Sequence, residues 1–131
     1  MPLPADPSPT TIDPELAQRV AELLGSRDPI FTPVTSGVSS ELWRVDVGSQ
    51  TYCVKRALPR LKVASEWLAP VRRNAEEVRW LRFAAEVAPR QVPAVIADDP
   101  AEGFAVLGWF DPARWTNWKT QLLQGLVRPA V

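Results

Sequence analysis

Apolar residues recur at helical spacing near the start of the chain. The repeat follows the i, i+4, i+7, i+8 pattern that lines one side of a helix. Asp13 suits the N-cap position, Pro14 the first helical position, and Gly25 the left-handed position after the last turn. The pattern therefore predicts one amphipathic helix between Asp13 and Gly25 that packs against the rest of the protein. Its predicted inner residues are Leu16, Val20, Leu23 and Leu24.

The apolar period changes to two between residues 30 and 56, which is typical of β-strands. Gly48 and Ser49 separate two alternating runs, 42–47 and 50–56, and a two-residue loop with a leading glycine favours a type II′ hairpin. Such a tight loop also fixes which residues lie opposite each other. The predicted pairs are Leu42 with Lys55, Trp43 with Val54, Arg44 with Cys53, and Val45 with Tyr52.

The rest of the pattern predicts further helices and a second hairpin. A short turn of helix over 64–69 precedes a longer helix over 70–87, which Pro89 stops. Two apolar runs separated by a turn-rich segment predict the hairpin, and a short amphipathic helix follows it. These last segments are the strands 91–97 and 104–109, the turn 98–103 between them, and the helix 116–124, which ends at Gly125.

The order of elements predicts an α+β fold: a five-stranded antiparallel sheet with an N-terminal helix, a long central helix and a short C-terminal helix. The composition, 46% apolar and 23% charged, is that of one compact globular domain. The first eleven residues contain four prolines among small and acidic side chains, and we expect residues 1–11 to form a disordered arm.

Charge and hydropathy exclude several classes of protein. Fifteen basic and fifteen acidic residues give a formal charge of zero, which argues against nucleic-acid binding despite a local basic cluster over 55–62. The longest apolar run, 104–110, has seven residues, far short of the roughly 20 that a membrane helix needs. The N-terminus has neither a basic start nor an apolar segment, so we expect a cytoplasmic protein without a membrane partner.

The chain contains no histidine and a single cysteine, Cys53. It can therefore build neither a Ser-His-Asp nor a Cys-His nucleophile pair, and it lacks imidazole ligands for metals. We expect neither a hydrolase of these types nor a metal-binding residue in this chain. A lone cysteine within a strand is typically a small buried apolar residue rather than a reactive thiol.

Residues 34–42 join two predicted strands through Gly37 and several hydroxyl-bearing residues. Backbone amides beside a glycine can point at an anion without hindrance from a Cβ atom. Ordinary turns have the same composition, so the segment by itself is a weak indicator of phosphate binding.

Lys55 and Glu77 both lie where an unpaired charge is costly. Lys55 is inside a predicted strand, so its ammonium must reach solvent at an edge or meet a partner. Glu77 lies on the apolar side of the predicted long helix, where an acidic side chain also needs a partner. A strand lysine paired with a helix glutamate is how protein kinases hold the lysine that contacts ATP phosphates. Glu76 is the open alternative to Glu77 as the partner of Lys55.

Several segments follow one another in a characteristic order. They are GVSSELWRV (37–45), YCVKRALPRLKV (52–63), PVRRN (70–74), Glu77, WL (80–81), VP (92–93) and FAVLGWF (104–110). In this order they resemble the N-terminal lobe of aminoglycoside phosphotransferase family proteins, which have a protein-kinase-like fold. The resemblance extends over residues 30–125, and the ordered combination is more specific than any one segment.

The resemblance implies a site for ATP or GTP with Mg²⁺. At its phosphate end, Lys55 would hold the α- and β-phosphates and Glu77 would orient Lys55. The residues that would close over the phosphates are Gly37, Val38, Ser39 and Ser40.

The same resemblance implies how the nucleotide base would be held. Leu42 and Cys53 would form the ceiling of the base slot, and Leu107 would lie at its back. The hinge residues, whose backbone would contact the edge of the base, are Gly108, Trp109 and Phe110.

The sequence departs from the family pattern after the hinge. The family places its catalytic Asp, in a His-Gly-Asp or similar loop, and its magnesium-binding Asp in a large C-terminal lobe. Only twenty-one residues follow Phe110, and Asp111 is the only aspartate among them. We therefore expect no catalytic residue and no turnover from this chain alone. The implied division is a nucleotide-binding lobe over 12–110, with 111–131 as the hinge exit and the start of a missing C-terminal lobe.

The alternative interpretation is a non-catalytic interaction module that keeps the lobe's shape. Its docking face would be aromatic, because the chain has six tryptophans and several lie near its end. The expected partners are a polypeptide that carries the C-terminal lobe or a second copy of this chain. The expected apolar patch consists of Trp109, Phe110, Trp118 and Leu122.

Overall fold

The computed structural model describes residues 11–35, 39–59, 61–63 and 65–127. Within these residues the chain forms three helices and five strands in a mixed α+β arrangement. The predicted disordered arm lies outside them except for residue 11, as do Gly37 and Val38 of the predicted phosphate segment. The elements are α1 (Pro14–Leu24), β1 (Ile30–Val34), β2 (Ser40–Val47), β3 (Gln50–Ala57), α2 (Arg73–Val87), β4 (Val95–Asp99), β5 (Phe104–Gly108) and α3 (Trp118–Leu123).

The five strands form one antiparallel sheet in the order β1-β2-β3-β5-β4. The β2–β3 register is the predicted one, with Leu42 opposite Lys55 and Arg44 opposite Cys53. Gly48 leads the connecting loop with φ 57°, a left-handed value that glycine adopts without strain. The alternation of side chains therefore places Leu42, Cys53 and Lys55 on one face of the sheet.

Helix α1 has the predicted caps. The Asp13 carboxylate accepts a hydrogen bond from Glu15 N at 3.0 Å, and Gly25 ends the helix with φ 62°. Leu16 and Val20 are buried, whereas Leu23 is 36% exposed at the border of the predicted inner side. The helix packs on one face of the sheet, in a core whose buried members are Leu16, Val20, Trp43, Val45, Val54, Phe104 and Val106.

Helix α2 belongs to a second core, together with the opposite face of the sheet. Its buried members are Val78, Ala105 and Leu107, with Cys53, Leu81 and Val95 packed against them. The two cores lie on opposite faces of the sheet. Cys53 and Lys55 lie on the same face of β3, so α2 is the helix that packs on the Lys55 face.

The start of α2 differs from the prediction by three residues. Pro70 and the two residues after it form a turn, in which the Pro70 carbonyl accepts from Arg73 N at 3.3 Å, and the helix begins at Arg73. The predicted turn of helix over 64–69 is wrong for 65–69, which contains no helix. Its backbone groups pair across the link instead: Leu61 N donates to Trp67 O at 2.9 Å, and Ala69 N donates to Pro59 O at 3.0 Å.

The second hairpin is shifted toward its turn. Residues 91–94 are not strand, and Asp98 and Asp99, predicted as turn, end β4. Two ion pairs hold these aspartates in place: Asp98 with Arg82 of α2, and Asp99 with Arg19 of α1 at 2.9 Å. A local sequence pattern does not show partners that are distant in the chain. The polar composition of residues 98–103 therefore predicted a turn that includes both aspartates.

The last helix is shorter than predicted. Asn117 caps it through a hydrogen bond from Thr120 N to its side chain at 3.4 Å, so α3 begins at Trp118 rather than at residue 116. None of the helices in the described part of the chain is long and apolar enough to span a lipid bilayer.

Candidate functional site

Lys55 and Glu77 form an ion pair between the middle of the sheet and α2. Lys55 Nζ lies 2.5 Å from Glu77 Oε1, and the two side chains are 28% and 39% exposed. In the sheet, Lys55 lies opposite Leu42 of β2 on one side and Ala105 of β5 on the other. The pair is therefore partly screened from water but still open on one side to a further ligand.

Packing of α2 decides which glutamate makes this pair. Asn74 and Val78 are buried against the sheet. Glu77 lies at the edge of this buried side of the helix and is 39% exposed. Glu76 lies on the outer side, where it pairs with Arg79 at 2.9 Å. The alternative that the sequence left open is thus resolved in favour of Glu77.

Asn74 ties the first turn of α2 to the backbone of Lys55. Its Nδ2 donates to Lys55 O at 3.3 Å, although the residue is only 3% exposed. Its Oδ1 is buried and has no hydrogen-bond partner among the described residues. Helix α2 therefore contacts Lys55 at two points: Glu77 binds its ammonium, and Asn74 binds its backbone carbonyl.

The side chains next to Lys55 on this face are small or apolar. Leu42 and Cys53 are half-buried, and Leu107 is 7% exposed behind them. Burial raises the pKa of the Cys53 thiol above its ordinary value of 9.0, so the thiol stays protonated at neutral pH. None of these three side chains carries a charge that would repel a flat apolar ring.

The predicted hinge residues differ in what they can offer. The Gly108 N–H already donates to Ala94 O at 2.8 Å, so this donor is not available to a base. The Trp109 ring lies under the Arg44 guanidinium, with 5.6 Å between its centroid and Cζ. Phe110 is 41% exposed and packs on Trp115 with 4.9 Å between ring centroids. Any N–H that contacts a base at the hinge therefore comes from Trp109 or Phe110.

Ser39 and Ser40 are the described residues of the predicted phosphate segment. Ser40 starts β2 opposite Ala57 and is 7% exposed. Ser39 is half-buried, and its carbonyl accepts from Leu58 N at 3.1 Å. Of the two, Ser39 offers more surface to an incoming anion.

Arg73 is a residue of this region that the sequence did not single out as a site residue. Its guanidinium donates to the carbonyls of residues before β2, after β3 and before α2. A basic residue at the start of a helix is unfavourable with respect to the helix dipole. This unfavourable position is the feature of the sequence that indicates a specific role for Arg73.

A second polar network lies on the opposite face of the sheet. Glu41 is 4% exposed, and its carboxylate accepts from Trp43 Nε1 at 2.8 Å and from Arg56 Nη2 at 2.7 Å. Arg56 also binds Asp13 at 2.9 Å, and this hydrogen bond lowers the pKa of Asp13 below its ordinary value of 3.8. Glu41 and Trp43 are two residues apart in β2, so their side chains lie on the same, buried face of the sheet.

A cavity of about 440 Å³ adjoins this network. Both arginines of its lining are already paired, Arg56 with Asp13 and Arg19 with Asp99. Because Arg56 and Lys55 are neighbours in one strand, their side chains point to opposite faces, and the cavity is separated from Lys55 by the sheet.

Two comparisons with known proteins found no match to this chain. No protein-family model matches the chain, and a search of curated proteins finds no match either.

In the described part of the chain, no three or more Cys, Asp or Glu side chains are grouped so that they could hold a metal ion.

Proposed function

We propose that this chain is a nucleotide-binding lobe like the N-terminal lobe of aminoglycoside phosphotransferases, a class of small-molecule kinases. The single observation that supports the proposal most is the ion pair between Lys55 in a central strand and Glu77 in the helix packed on it. A kinase-like lobe requires this pairing at this place, and the sequence pattern predicts Lys55 together with one of the two adjacent glutamates, Glu76 or Glu77.

The chemistry of the pair suits polyphosphate. Glu77 holds the ammonium of Lys55 in one orientation, and the partial exposure of both side chains lets phosphate oxygens approach the ammonium from solvent. Mg²⁺ on the nucleotide would neutralise further phosphate charge, while Leu42, Cys53 and Leu107 would pack on the base. In the reaction class that the resemblance implies, a γ-phosphoryl group passes from ATP or GTP to a hydroxyl of a small molecule. The proposal assigns to this chain the binding of the nucleotide.

Titration of Mg·ATP and Mg·GTP by calorimetry tests the proposal. Lys55→Ala is expected to weaken binding about 10- to 100-fold, because a hydrogen bond to a charged group contributes about 1.5–3 kcal/mol. Lys119→Ala, which changes an exposed lysine of α3, is the matched control and should bind as the wild type does. Absence of binding by the wild type, or equal binding by Lys55→Ala, contradicts the proposal.

The neighbouring glutamates give a second matched pair. Glu77→Gln is expected to weaken nucleotide binding up to about fivefold, because a partly exposed ion pair contributes about 0.2–1 kcal/mol. Glu76→Gln removes only the exposed contact with Arg79 and should leave binding unchanged. Equal effects at the two positions would show that the orientation of Lys55 does not matter.

A protein-interaction module is the second candidate, and the exposure of the C-terminal segment favours it. Trp118 is 72% exposed, Leu123 80% and Val127 76%, so three large apolar side chains are exposed within one short segment. Indifference of the wild type to both nucleotides, together with binding of a polypeptide partner through this segment, would favour the module over the nucleotide-binding lobe.

A further inference from the structure

Among the described residues, the Arg73 guanidinium makes four hydrogen bonds, and all four acceptors are backbone carbonyls. Nη1 donates to Ala69 O at 3.1 Å and to Pro70 O at 2.9 Å. Nη2 donates to Leu58 O at 2.7 Å and, more closely, to Ser39 O. The planar guanidinium directs its N–H groups outward in a fixed fork, which lets one side chain join several separate chain segments.

The four carbonyls come from three segments that converge on the start of α2. Ser39 directly precedes β2, Leu58 directly follows β3, and Ala69 and Pro70 end the link that leads into α2. Ser39 O also accepts from Leu58 N at 3.1 Å, so the two strand ends are joined to each other as well as to Arg73. The arrangement holds the beginning of β2 against the beginning of α2.

Glu77 follows Arg73 by four residues, one helical turn further along α2. A shift of Ser39 that breaks its contact with Arg73 would remove one of the attachments of the start of α2, which Asn74 and Val78 also hold, and would loosen the turn before the carboxylate that orients Lys55. Ser39 also belongs to the segment that the proposed function assigns to the phosphates. The two halves of the proposed phosphate site are therefore mechanically joined through Arg73.

Arg73 is poorly placed to bind phosphate itself. Each terminal nitrogen of a guanidinium carries two hydrogens, and the four carbonyls engage all four of them. Only the Nε–H remains for another acceptor. The geometry therefore favours a residue that positions other groups over one that contacts the ligand.

We infer that Arg73 is a positioning residue that couples the Ser39 end of β2 to the helix carrying Glu77. This inference rests on the proposed function. Binding of phosphate beside Ser39 and alignment of Lys55 with Glu77 then form one linked event. Replacement of Arg73 should disturb both, even though Arg73 touches neither the phosphates nor Lys55.

The first test compares Arg73→Gln, Arg73→Lys and the control Arg72→Gln, which changes the exposed neighbour. Each is titrated with Mg·ATP and adenosine, and with Mg·GTP and guanosine. Both Arg73 variants are expected to bind the triphosphate about tenfold more weakly and the nucleoside within about twofold of the wild type. Arg72→Gln should match the wild type for both ligands.

Three outcomes overturn the inference. Full triphosphate affinity in Arg73→Lys would mean that only the positive charge matters, as for a direct phosphate ligand. Equal losses for triphosphate and nucleoside would mean that Arg73 supports only the general stability of the lobe. Unchanged binding in both Arg73 variants would mean that Ser39 and α2 are held together by other contacts.

Amide hydrogen exchange without ligand separates this inference from the proposed function. In Arg73→Gln, the Leu58 amide, which donates to Ser39 O, and the amides of the second turn of α2 should exchange faster together, about tenfold. Faster exchange at only one end, or at neither, overturns the coupling, even if the wild type binds no nucleotide. If Arg73→Gln does not fold, the same comparison is made on Arg73→Lys.

Discussion

Gly103 lies at a turn where two conditions exclude a side chain. Its φ is +71°, and its N–H donates to Asp99 O at 2.9 Å to close the turn between β4 and β5. A Cβ atom built on it would overlap Val71 Cγ1, because the residues before α2 pack directly against this turn. Gly103 also accepts from Ala57 N at 2.9 Å, so the turn, the end of β3 and the start of α2 meet at one residue.

Gly103→Ala is expected to lower the free energy of unfolding by about 2–5 kcal/mol. Of this, about 1–2 kcal/mol comes from the left-handed backbone and about 1–3 kcal/mol from the overlap with Val71. Gly48→Ala is the matched control, with φ +57° and no atom within 4 Å of the added Cβ, so it should cost only about 1–2 kcal/mol. Urea unfolding of the two variants measures the difference, and equal losses would refute the role of Val71.

Helix α1 is held to the sheet by paired carboxylates as well as by its apolar side. Asp13 at its start binds Arg56 of β3, and Arg19 within it binds Asp99 of β4. Hydrogen bonds from these arginines lower the pKa of both aspartates below the ordinary value of 3.8. Since both carboxylates are favoured in their charged form by folding, they stabilise the protein above that value and cease to do so at low pH.

Thermal unfolding between pH 3 and pH 6 tests this attachment of α1. The midpoint should fall as the pH decreases below about 4, because the unfolded chain then takes up protons that the folded carboxylates resist. Asp13→Asn should lower the midpoint at pH 6 and flatten its decline toward pH 3. Asp28→Asn, which changes an exposed aspartate in the loop after α1, should keep the wild-type profile. A wild-type pH profile for Asp13→Asn would show that the pair with Arg56 is dispensable.

At the scale of the whole molecule, the two ends of the described chain differ in how they meet the sheet. Helix α1 contributes Leu16 and Val20 to the core, whereas α3 contributes no buried residue. Phe110, Trp118 and Leu122 are exposed, as predicted, while Trp109 is partly covered by Arg44. The C-terminal segment thus leaves several large apolar side chains exposed.

Self-association is the expected consequence in solution. Light scattering should show a concentration-dependent increase in mass, and a dye that binds apolar surface should fluoresce with the wild type. Replacing Trp118 and Leu123 by Ser should reduce both signals. The control Trp80→Ser changes a tryptophan on α2 that is also largely exposed, and it should leave both signals unchanged. A strictly monomeric wild type at high concentration, without dye binding, would contradict the prediction.

Local patterns predicted the parts of this fold that depend on residues close in the chain. The caps of α1 require only Asp13 and Gly25 at the ends of one apolar repeat. The β2–β3 register requires only a two-residue loop, after which the pairing of Lys55 with Leu42 is geometrically fixed. That register and the alternation of side chains place Lys55 on the same face as Leu42 and Cys53, and it is the packing of α2 that covers this face.

The sequence by itself therefore determined the caps of α1, the register around Lys55 and the need for an acidic partner. Only the tertiary structure decided that Glu77 rather than Glu76 supplies it, because the rotation of α2 is set by burial of Asn74 and Val78 against the sheet. The same holds for Arg73, whose acceptors include a carbonyl 34 residues away. Contacts of this kind depend on how finished elements pack, and a one-dimensional pattern of polar and apolar residues does not contain that information.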